Sequence, residues 1–276
     1  REETEYVLLD LQFLGITDLL VLRGDKAKHE SVFTPEGDGY HHATELQEQI
    51  NNFNKGIFVD GSEMKVTNTP FSYGVACYPE KHEEAPNIDT DIYWLKKKME
   101  AGAEYAVTQL FYDNQKYFDF VERARKAGVT IPIIPGIKPF KKISQISMIP
   151  KTFKVDLPEE LTCEAMKCKT DEEAKQVGIE WCVKQCKELM EHGVPSIHFY
   201  SIGAVDSIKE VASNHSLYPC RQLNVITKPG LPPKRTLITF VFKKQECRTE
   251  ELLIELTRHQ YSKEYIELTR EYYLKM

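Results

Sequence analysis

Short apolar segments alternate with helical segments along most of the chain, and this alternation limits the possible folds more than any other feature. Strands are predicted at Asp18–Leu22, Tyr73–Tyr78, Tyr105–Phe111, Ile131–Ile137 and Ser196–Tyr200. These segments are β-branched and apolar on both faces, which is typical of strands in a parallel sheet. Because helices separate them, we expect an α/β fold built of about five βα units.

Apolar residues at helical spacing, often followed by glycine, predict the intervening helices. They are predicted at Glu2–Leu14, Ala43–Phe53, Thr90–Ala101, Gln115–Ala127, Asp171–His192 and Val205–Asn214. Five βα units fit either an open doubly wound sheet or part of a (β/α)8 barrel. No GxGxxG or P-loop motif follows a strand, which disfavours a dinucleotide-binding Rossmann fold.

The chain changes character near residue 214. Residues 221–276 contain 11 basic and 7 acidic residues, whereas residues 1–220 contain 25 and 35. We therefore expect an α/β region over 1–213 and a basic tail over 214–276. In that tail we expect a Pro-rich linker over 228–233, a strand over 236–242 and a charged helix over Glu250–Lys275.

Composition excludes several classes of partner. The 36 basic and 42 acidic residues give a net charge of -6, so we expect no nucleic-acid partner. No apolar run is long enough to span a bilayer, so we expect no membrane partner. The 7 cysteines are an odd number and predict reduced thiols in a cytoplasmic protein. Cys182 and Cys186 are one helical turn apart and are expected to face a core, so we expect no metal site.

Every predicted strand ends in a cluster of polar residues or glycine at its carboxyl-terminal edge. They are Arg23, Gly24 and Asp25; Tyr78 and His82; Gln109 and Asp113; Gly136 and Lys138; and His198, Tyr200 and Ser201. The carboxyl ends of parallel strands meet at one edge, where α/β proteins bind ligands. The sequence therefore predicts a binding site at this edge.

Five of these segments together resemble one family. They are LVLRGD (20–25), VACYPEKHEEA (75–85), AGAEYAVTQLFYD (101–113), IPIIPGIKP (131–139) and HFYSIGA (198–204). In this order and spacing, the chain over about 1–213 resembles methylenetetrahydrofolate reductase. The resemblance implies a (β/α)8 TIM barrel that holds FAD at its carboxyl-terminal rim. It also implies that NADH or NADPH reduces the flavin, which then reduces the folate substrate 5,10-methylenetetrahydrofolate to 5-methyltetrahydrofolate. It leaves a homo-oligomer open.

The resemblance also assigns residues. It places at the FAD Arg23, Gly24, Asp25, Ala43, Tyr78, His82, Ala85, Asp91, Lys97 and Lys98. It places Asp25, Gln109 and Gln145 at the folate, with Asp25 and Gln109 taking part in catalysis. Without the family, Lys97 and Lys98 belong to a charge run typical of a solvated helix face, and Asp25 is as readily the cap of a loop.

The sequence departs from the family in three places. The opening barrel strand, which carries the acid that activates the folate, has no counterpart, nor do the next two strands. We therefore expect an incomplete barrel. Trp94 and Ala204 replace a flavin-contacting Asn and a folate-contacting Arg, and residues 221–276 match nothing in the family. One alternative is an inactive flavin- or folate-binding remnant or an interaction protein, and a weaker one is an unrelated barrel lyase.

Overall fold

The computed structural model describes residues 1–26, 30, 32–64, 69–200, 205–241, 243–257 and 260–269. The chain forms two compact units. The first unit comprises Arg1–Lys138, Ile143–Lys167 and Glu188–Tyr200, and the second comprises Pro139–Lys142, Cys168–Lys187 and Ser201–Met276. The predicted boundary between residues 213 and 214 stays a prediction.

A five-stranded parallel sheet forms the centre of the first unit. Its strands are β1 (Asp18–Val21), β2 (Ser72–Cys77), β3 (Tyr105–Leu110), β4 (Ile133–Ile137) and β5 (His198–Phe199). They lie side by side in sequence order. A doubly wound sheet reverses its strand order, whereas right-handed crossovers between successive neighbours keep the helices on one face. The sheet is therefore a half-barrel, which confirms the prediction of an incomplete (β/α)8 barrel.

Nine helices are assigned within the described residues. The first unit contains α1 (Glu2–Phe13), α2 (Ala43–Asn54), α3 (Ile88–Glu100), α4 (Asn114–Lys126), α5 (Gln145–Phe153) and α6 (Glu159–Lys167). Helix α7 (Asp171–Glu191) is divided between the units, and α8 (Val205–Asn214) and α9 (Lys263–Thr269) belong to the second. The sequence does not predict α5, α6 or α9 as separate helices. Each of the six predicted helices between residues 2 and 214 is present, with ends within two residues of the prediction.

Local capping explains the ends of the helices that flank β3. The Asn87 side chain accepts a hydrogen bond from the Thr90 N–H at 2.9 Å and caps α3. Asp113 accepts one from the Gln115 N–H at 2.9 Å and caps α4, so this predicted rim residue has a structural role. Gly102 and Gly128 follow the two helices with φ of 110° and 91°, a conformation that favours glycine.

The two faces of the half-barrel sheet differ in cover. On the outer face, Tyr73, Val75 and Cys77 are buried, and the Tyr73 hydroxyl lies 2.9 Å from Asn51 Oδ1 of α2. On the inner face, which a closed barrel would bury, Leu20 is 41% exposed and Leu22 follows it 50% exposed. The helices therefore bury only one face of the sheet.

Tyr200 crosses the inner face above β4. Its hydroxyl donates to the Thr108 carbonyl of β3 at 2.8 Å, and its ring passes over Gly136 of β4. A Cβ at residue 136 would lie 2.4 Å from the Thr108 carbonyl oxygen and 2.6 Å from the Tyr200 ring. The glycine is required here because the backbone and the tyrosine leave no room for a side chain.

Two small sheets form part of the second unit. One has the order β7-β6-β8, with β6 (Tyr218–Ile226), β7 (Arg235–Val241) and β8 (Arg248–Leu253). The other pairs β9 (Glu255–Thr257) with β10 (Gln260–Tyr261). The strand predicted over 236–242 is confirmed as β7, apart from Phe242, which lies outside the described residues.

Two predictions for the tail are wrong. Residues 250–253, 255–257 and 260–261 form strands and not the start of a helix, because β8 pairs in parallel with β6 over Arg221–Ile226. Of the predicted helix over Glu250–Lys275, residues 263–269 are helical, as α9. The Pro-rich stretch 228–233 is not a linker, since it connects the antiparallel partners β6 and β7 within one sheet. In both places long-range strand pairing determines the structure where local sequence signals are ambiguous.

Two further sequence-based expectations concern cysteines and membranes. Cys182 and Cys186 on α7 are buried, as predicted. Across the described ranges, no cluster of three or more His, Cys, Asp or Glu side chains is arranged to bind a metal ion. No helix in those ranges has the length and apolarity that crossing a membrane requires.

Replacing Gly136 with Ala tests the packing of Tyr200. We expect a loss of about 1–3 kcal/mol in the free energy of unfolding, because the new methyl group overpacks against backbone that cannot move away. Gly37→Ala is the matched control, since a Cβ there meets nothing within 4 Å and should change stability by less than about 0.5 kcal/mol. Equal thermal unfolding midpoints for the two variants, measured by circular dichroism, would contradict the described position of Tyr200.

Candidate functional site

A groove with a volume of about 250 Å³ lies at the carboxyl ends of β1 and β2, beside the start of α2 and one side of α3. Eight residues that the sequence assigns to a cofactor line this groove: Arg23, Asp25, Ala43, Tyr78, His82, Ala85, Asp91 and Lys98. The groove therefore brings together residues that are up to 75 positions apart in the chain.

Hydrogen bonds hold the loop after β2 against the groove. Lys81 adopts a φ of 79°, which is unusual for a residue with a side chain, and its ammonium group donates to the His82 and Ala85 carbonyls at 3.2 and 2.8 Å. The His82 N–H donates to Asp91 Oδ2 of α3 at 2.7 Å. These contacts fix His82 and Ala85 at the groove wall and give a local reason for the strained backbone at Lys81.

An ion pair links the end of β1 to the same loop. The Arg23 guanidinium donates two hydrogen bonds to the Glu84 carboxylate, at 2.8 and 2.7 Å, and lies 4.5 Å from the centroid of the Phe33 ring. The hydrogen bonds raise the pKa of Arg23 and lower the pKa of Glu84. Arg23 therefore lines the groove as part of a bidentate pair within the protein.

Burial controls the protonation of the groove's other polar groups. It raises the pKa of Tyr78 to about 12, with a smaller contribution from the Asp25 carboxylate. It also raises the pKa of Asp91 and lowers the pKa of Lys98. Tyr78 is thus a neutral phenol at neutral pH, able to donate a hydrogen bond, and its ring lies 4.6 Å from that of His82.

Lys98 enters the groove from α3. Its ammonium group donates to the Ala76 carbonyl of β2 at 3.0 Å. An ammonium group has three N–H donors, so this hydrogen bond leaves capacity for a further acceptor. Lys97, its neighbour, does not line the groove, since it is exposed and its ammonium group lies 2.7 Å from Glu100 Oε2.

Three other predicted site residues lie outside the groove. Gly24 is between two groove residues in the chain. Cys77 of β2 pairs with Thr108 of β3. The next residues along these strands, Tyr78 and Gln109, are therefore neighbours on the inner face. Gln145 is buried at the start of α5. Ser201 and Ala204 lie outside the described residues.

Nine of the residues that line the groove are not assigned as binding residues by the family resemblance, among them His42, Glu84 and Trp94. From the sequence alone, Trp94 is named only as a departure from the family. It lies on α3 three positions after Asp91 and four before Lys98, and this spacing places the three side chains on one helix face. That spacing is the signal in the sequence that indicates a shared role.

The chain was compared with known proteins. Residues 1–216 match the family model described as methylenetetrahydrofolate reductase. The chain is 37% identical over 150 residues to a probable methylenetetrahydrofolate reductase (NADPH) of Caenorhabditis elegans, covering 54% of this chain and 23% of that protein. It is 30% identical over 226 residues to methylenetetrahydrofolate reductase (NADH) 1 of Arabidopsis thaliana, covering 78% and 36%. The chain thus spans about a quarter to a third of these relatives' length.

A protein with a different name also matches part of the chain. A tRNA1(Val) (adenine(37)-N6)-methyltransferase of Bacteroides fragilis is 67% identical over 73 residues, which is 26% of this chain and 31% of that protein. Residues 217–276, which the first family leaves unmatched, number 60, so at least 13 of these 73 residues lie within residues 1–216.

A double-mutant cycle on Arg23→Gln and Glu84→Gln tests the ion pair. We expect a coupling free energy of about 0.5–1 kcal/mol at pH 7, because the Glu84 side chain is 45% exposed and solvent screens the pair. The pairing lowers the pKa of Glu84, so its stabilisation is complete above the ordinary pKa of about 4.3 and disappears as the pH falls through the lowered value. Urea unfolding at pH 7 and pH 3 measures both quantities, and a coupling that increases toward pH 3 would contradict this description.

Proposed function

The chain belongs to the methylenetetrahydrofolate reductase family, and on that basis we propose that its first unit binds FAD and contributes to the reduction of 5,10-methylenetetrahydrofolate by NADH or NADPH. One observation carries the proposal. Eight residues that the resemblance assigns to FAD lie around a single groove at the carboxyl edge of a parallel sheet, which is where such sheets bind ligands.

The chemistry of the groove suits a flavin dinucleotide. The Lys98 ammonium group suits a phosphate oxygen, the Asp91 carboxylate suits ribose hydroxyls, and the Tyr78 phenol donates a hydrogen bond. When bound, FAD would supply hydride transfer. Asp25 is an exposed carboxylate at the end of β1, where we propose that it accepts hydrogen bonds from the amino group of the folate.

Gln109 supports a folate position on the inner face of the sheet. Its side chain is partly exposed there, next to the position of Tyr78, and its Oε1 accepts a hydrogen bond from the Leu110 N–H at 3.0 Å. The Nε2 group of the same amide carries two N–H donors, which can serve a substrate. We propose that Gln109 orients the folate relative to the flavin, and that Gln145 contributes from α5.

A flavin-binding protein without folate turnover is the alternative within this family. The half-covered inner face favours this alternative. Reduction of a substrate is more efficient in a site that excludes water, whereas Leu20 and Leu22 on this face are 41% and 50% exposed. Flavin content tests binding, and turnover then separates the two functions. Oxidation of NADH with menadione as acceptor reports reduction of the flavin, and formation of 5-methyltetrahydrofolate reports the complete reaction.

Replacing Lys98 with Met tests the flavin groove. We expect the purified chain to show flavin absorbance after incubation with FAD, and Lys98→Met to weaken FAD binding about tenfold through loss of a charge-assisted hydrogen bond. Lys96→Met is the matched control on the same helix, because Lys96 does not line the groove. A chain that takes up no FAD would contradict the proposal, as would equal dissociation constants for the two variants in a fluorescence titration.

We propose a second function, contact with tRNA, for the second unit. Its support is the 67% identity of a 73-residue stretch of the chain to a tRNA methyltransferase, together with cations on a sheet of this unit. The register of the sheet β7-β6-β8 places Arg221, Val225 and Arg235 on one face, with Arg248 paired to Arg221. Arg221, Arg235 and Arg248 are exposed, and cations on a sheet face favour binding to phosphates. Glu250 on the same face pairs with Arg221 at 3.0 Å and with Arg248 at 2.6 Å, so the proposal rests mainly on Arg235. The charge of the whole chain predicts no nucleic-acid partner, and that prediction remains untested.

The tRNA proposal is tested on the full chain with Lys234→Gln and Arg235→Gln combined, because Lys234 is an exposed cation directly before Arg235 in the chain. We expect the unmodified chain to bind tRNA more weakly as salt rises from 50 to 200 mM, and the double variant to show a logarithmic salt slope smaller by about 2. Lys126→Gln is the control, because Lys126 lies on α4 of the first unit and pairs with Glu122 at 2.5 Å. Gel-shift titrations measure the slopes. No binding at 50 mM salt, or equal slopes for both variants, would overturn this function.

A further inference from the structure

An aromatic pair lies where α2 and α3 border the groove. The Trp94 ring of α3 stacks with the His42 ring at the start of α2, with centroids 6.2 Å apart and planes inclined by 17°. Both residues line the groove, and Trp94 is 45% exposed. A large aromatic ring is thus presented at a binding groove with part of its surface uncovered.

The position of the Trp94 ring is fixed before any ligand binds. The Tyr93 ring meets it edge to face at a centroid distance of 5.4 Å and an angle of 77°. The backbone of His42 is held in turn, since Glu45 Oε2 accepts hydrogen bonds from the backbone N–H groups of His41 and His42 at 2.6 and 3.0 Å. A ring held in this way loses little conformational entropy when another ring stacks on it.

Three side chains of different chemistry share the groove face of α3. Asp91 supplies a carboxylate, Trp94 an aromatic face and Lys98 an ammonium group, at intervals of three and four residues. A nucleotide presents hydroxyls, a flat base and phosphates. The groove face of α3 therefore matches an adenosine phosphate. The part of the groove at the strand ends, which Tyr78 and Asp25 line, can then hold the flavin ring.

We propose that Trp94 stacks on the adenine ring of FAD, so that aromatic stacking replaces the polar contact expected at this position in the family. This inference rests on the proposed function, because the occupant is FAD. Stacking accepts any flat base, whereas a polar contact selects one pattern of donors and acceptors. The groove thereby gains affinity for the adenine half of the cofactor that does not depend on the flavin half.

The test compares FAD with FMN, which carries the same flavin ring and lacks the adenosine phosphate. In titrations of the full chain, we expect Trp94→Ala to weaken FAD binding about tenfold or more and FMN binding less than about twofold. Trp94→Phe, which keeps an aromatic face, should restore most of the FAD affinity. Equal losses for FAD and FMN, or no loss for either, would overturn the inference.

Fluorescence separates this inference from the proposed function. The chain has 2 tryptophans, so Trp181→Phe leaves Trp94 as the sole indole emitter. We expect ADP to quench this emission, because ADP carries the adenine without the flavin. Quenching by ADP in a chain that binds no FMN would support the role of Trp94 and contradict the flavin proposal. Absence of quenching by both ADP and FAD would overturn the role of Trp94.

Discussion

Parallel pairing of β2 with β3 determines the direction of the side chains on which the site of the first unit depends. The pairs Val75–Ala106 and Cys77–Thr108 face the helices, and Ala76–Val107 faces inward. Tyr78 and Gln109 continue the inward set at the strand ends. Because side chains alternate, a shift of one residue would direct Tyr78 toward the helix layer and Val75 toward solvent. The buried outer residues therefore secure the position of the polar inner ones.

The groove combines this rigid sheet with loops held by polar contacts. The Ala76 carbonyl accepts a hydrogen bond from Lys98, so an inward strand position is tied to the groove face of α3. Asp91, about two turns before Lys98 on the same face of α3, accepts one from the loop after β2. Since both contacts come from α3, its rotation about its own axis determines which residues a ligand meets. That rotation is fixed by Ile92 and Leu95, which are buried against the unit's core.

Local signals explain what the sequence could predict. Strands β1 to β5 follow from short apolar runs, and α3 and α4 from apolar periodicity with Asn87, Gly102, Asp113 and Gly128 at their ends. Lys97 and Lys98 show the limit of such signals, because adjacent lysines look alike until the helix face is known. Residues 250–261 show another limit, since Leu252 and Leu253 suit a helix as well as a strand and their pairing with Val225 and Ile226 is a long-range choice. His42 and Trp94 lie on different helices, so their contact required the fold.

Both units leave leucine side chains exposed on strands that are paired within their sheets. In the first unit, Leu20 is 41% exposed beside the fully paired β2. In the second, Leu237 is 60% exposed on β7, although β7 pairs with β6 from Arg235 to Val241. An exposed leucine on a paired strand indicates a surface suited to contact with a ligand or another protein, because burying that side chain would lower the free energy. In the first unit that surface adjoins the groove, so a flat cofactor resting against the inner face would supply apolar cover as well as reactivity. Ligand binding there should consequently stabilise the sheet itself, which links the proposed function to the feature that most distinguishes the fold, its half-covered parallel sheet.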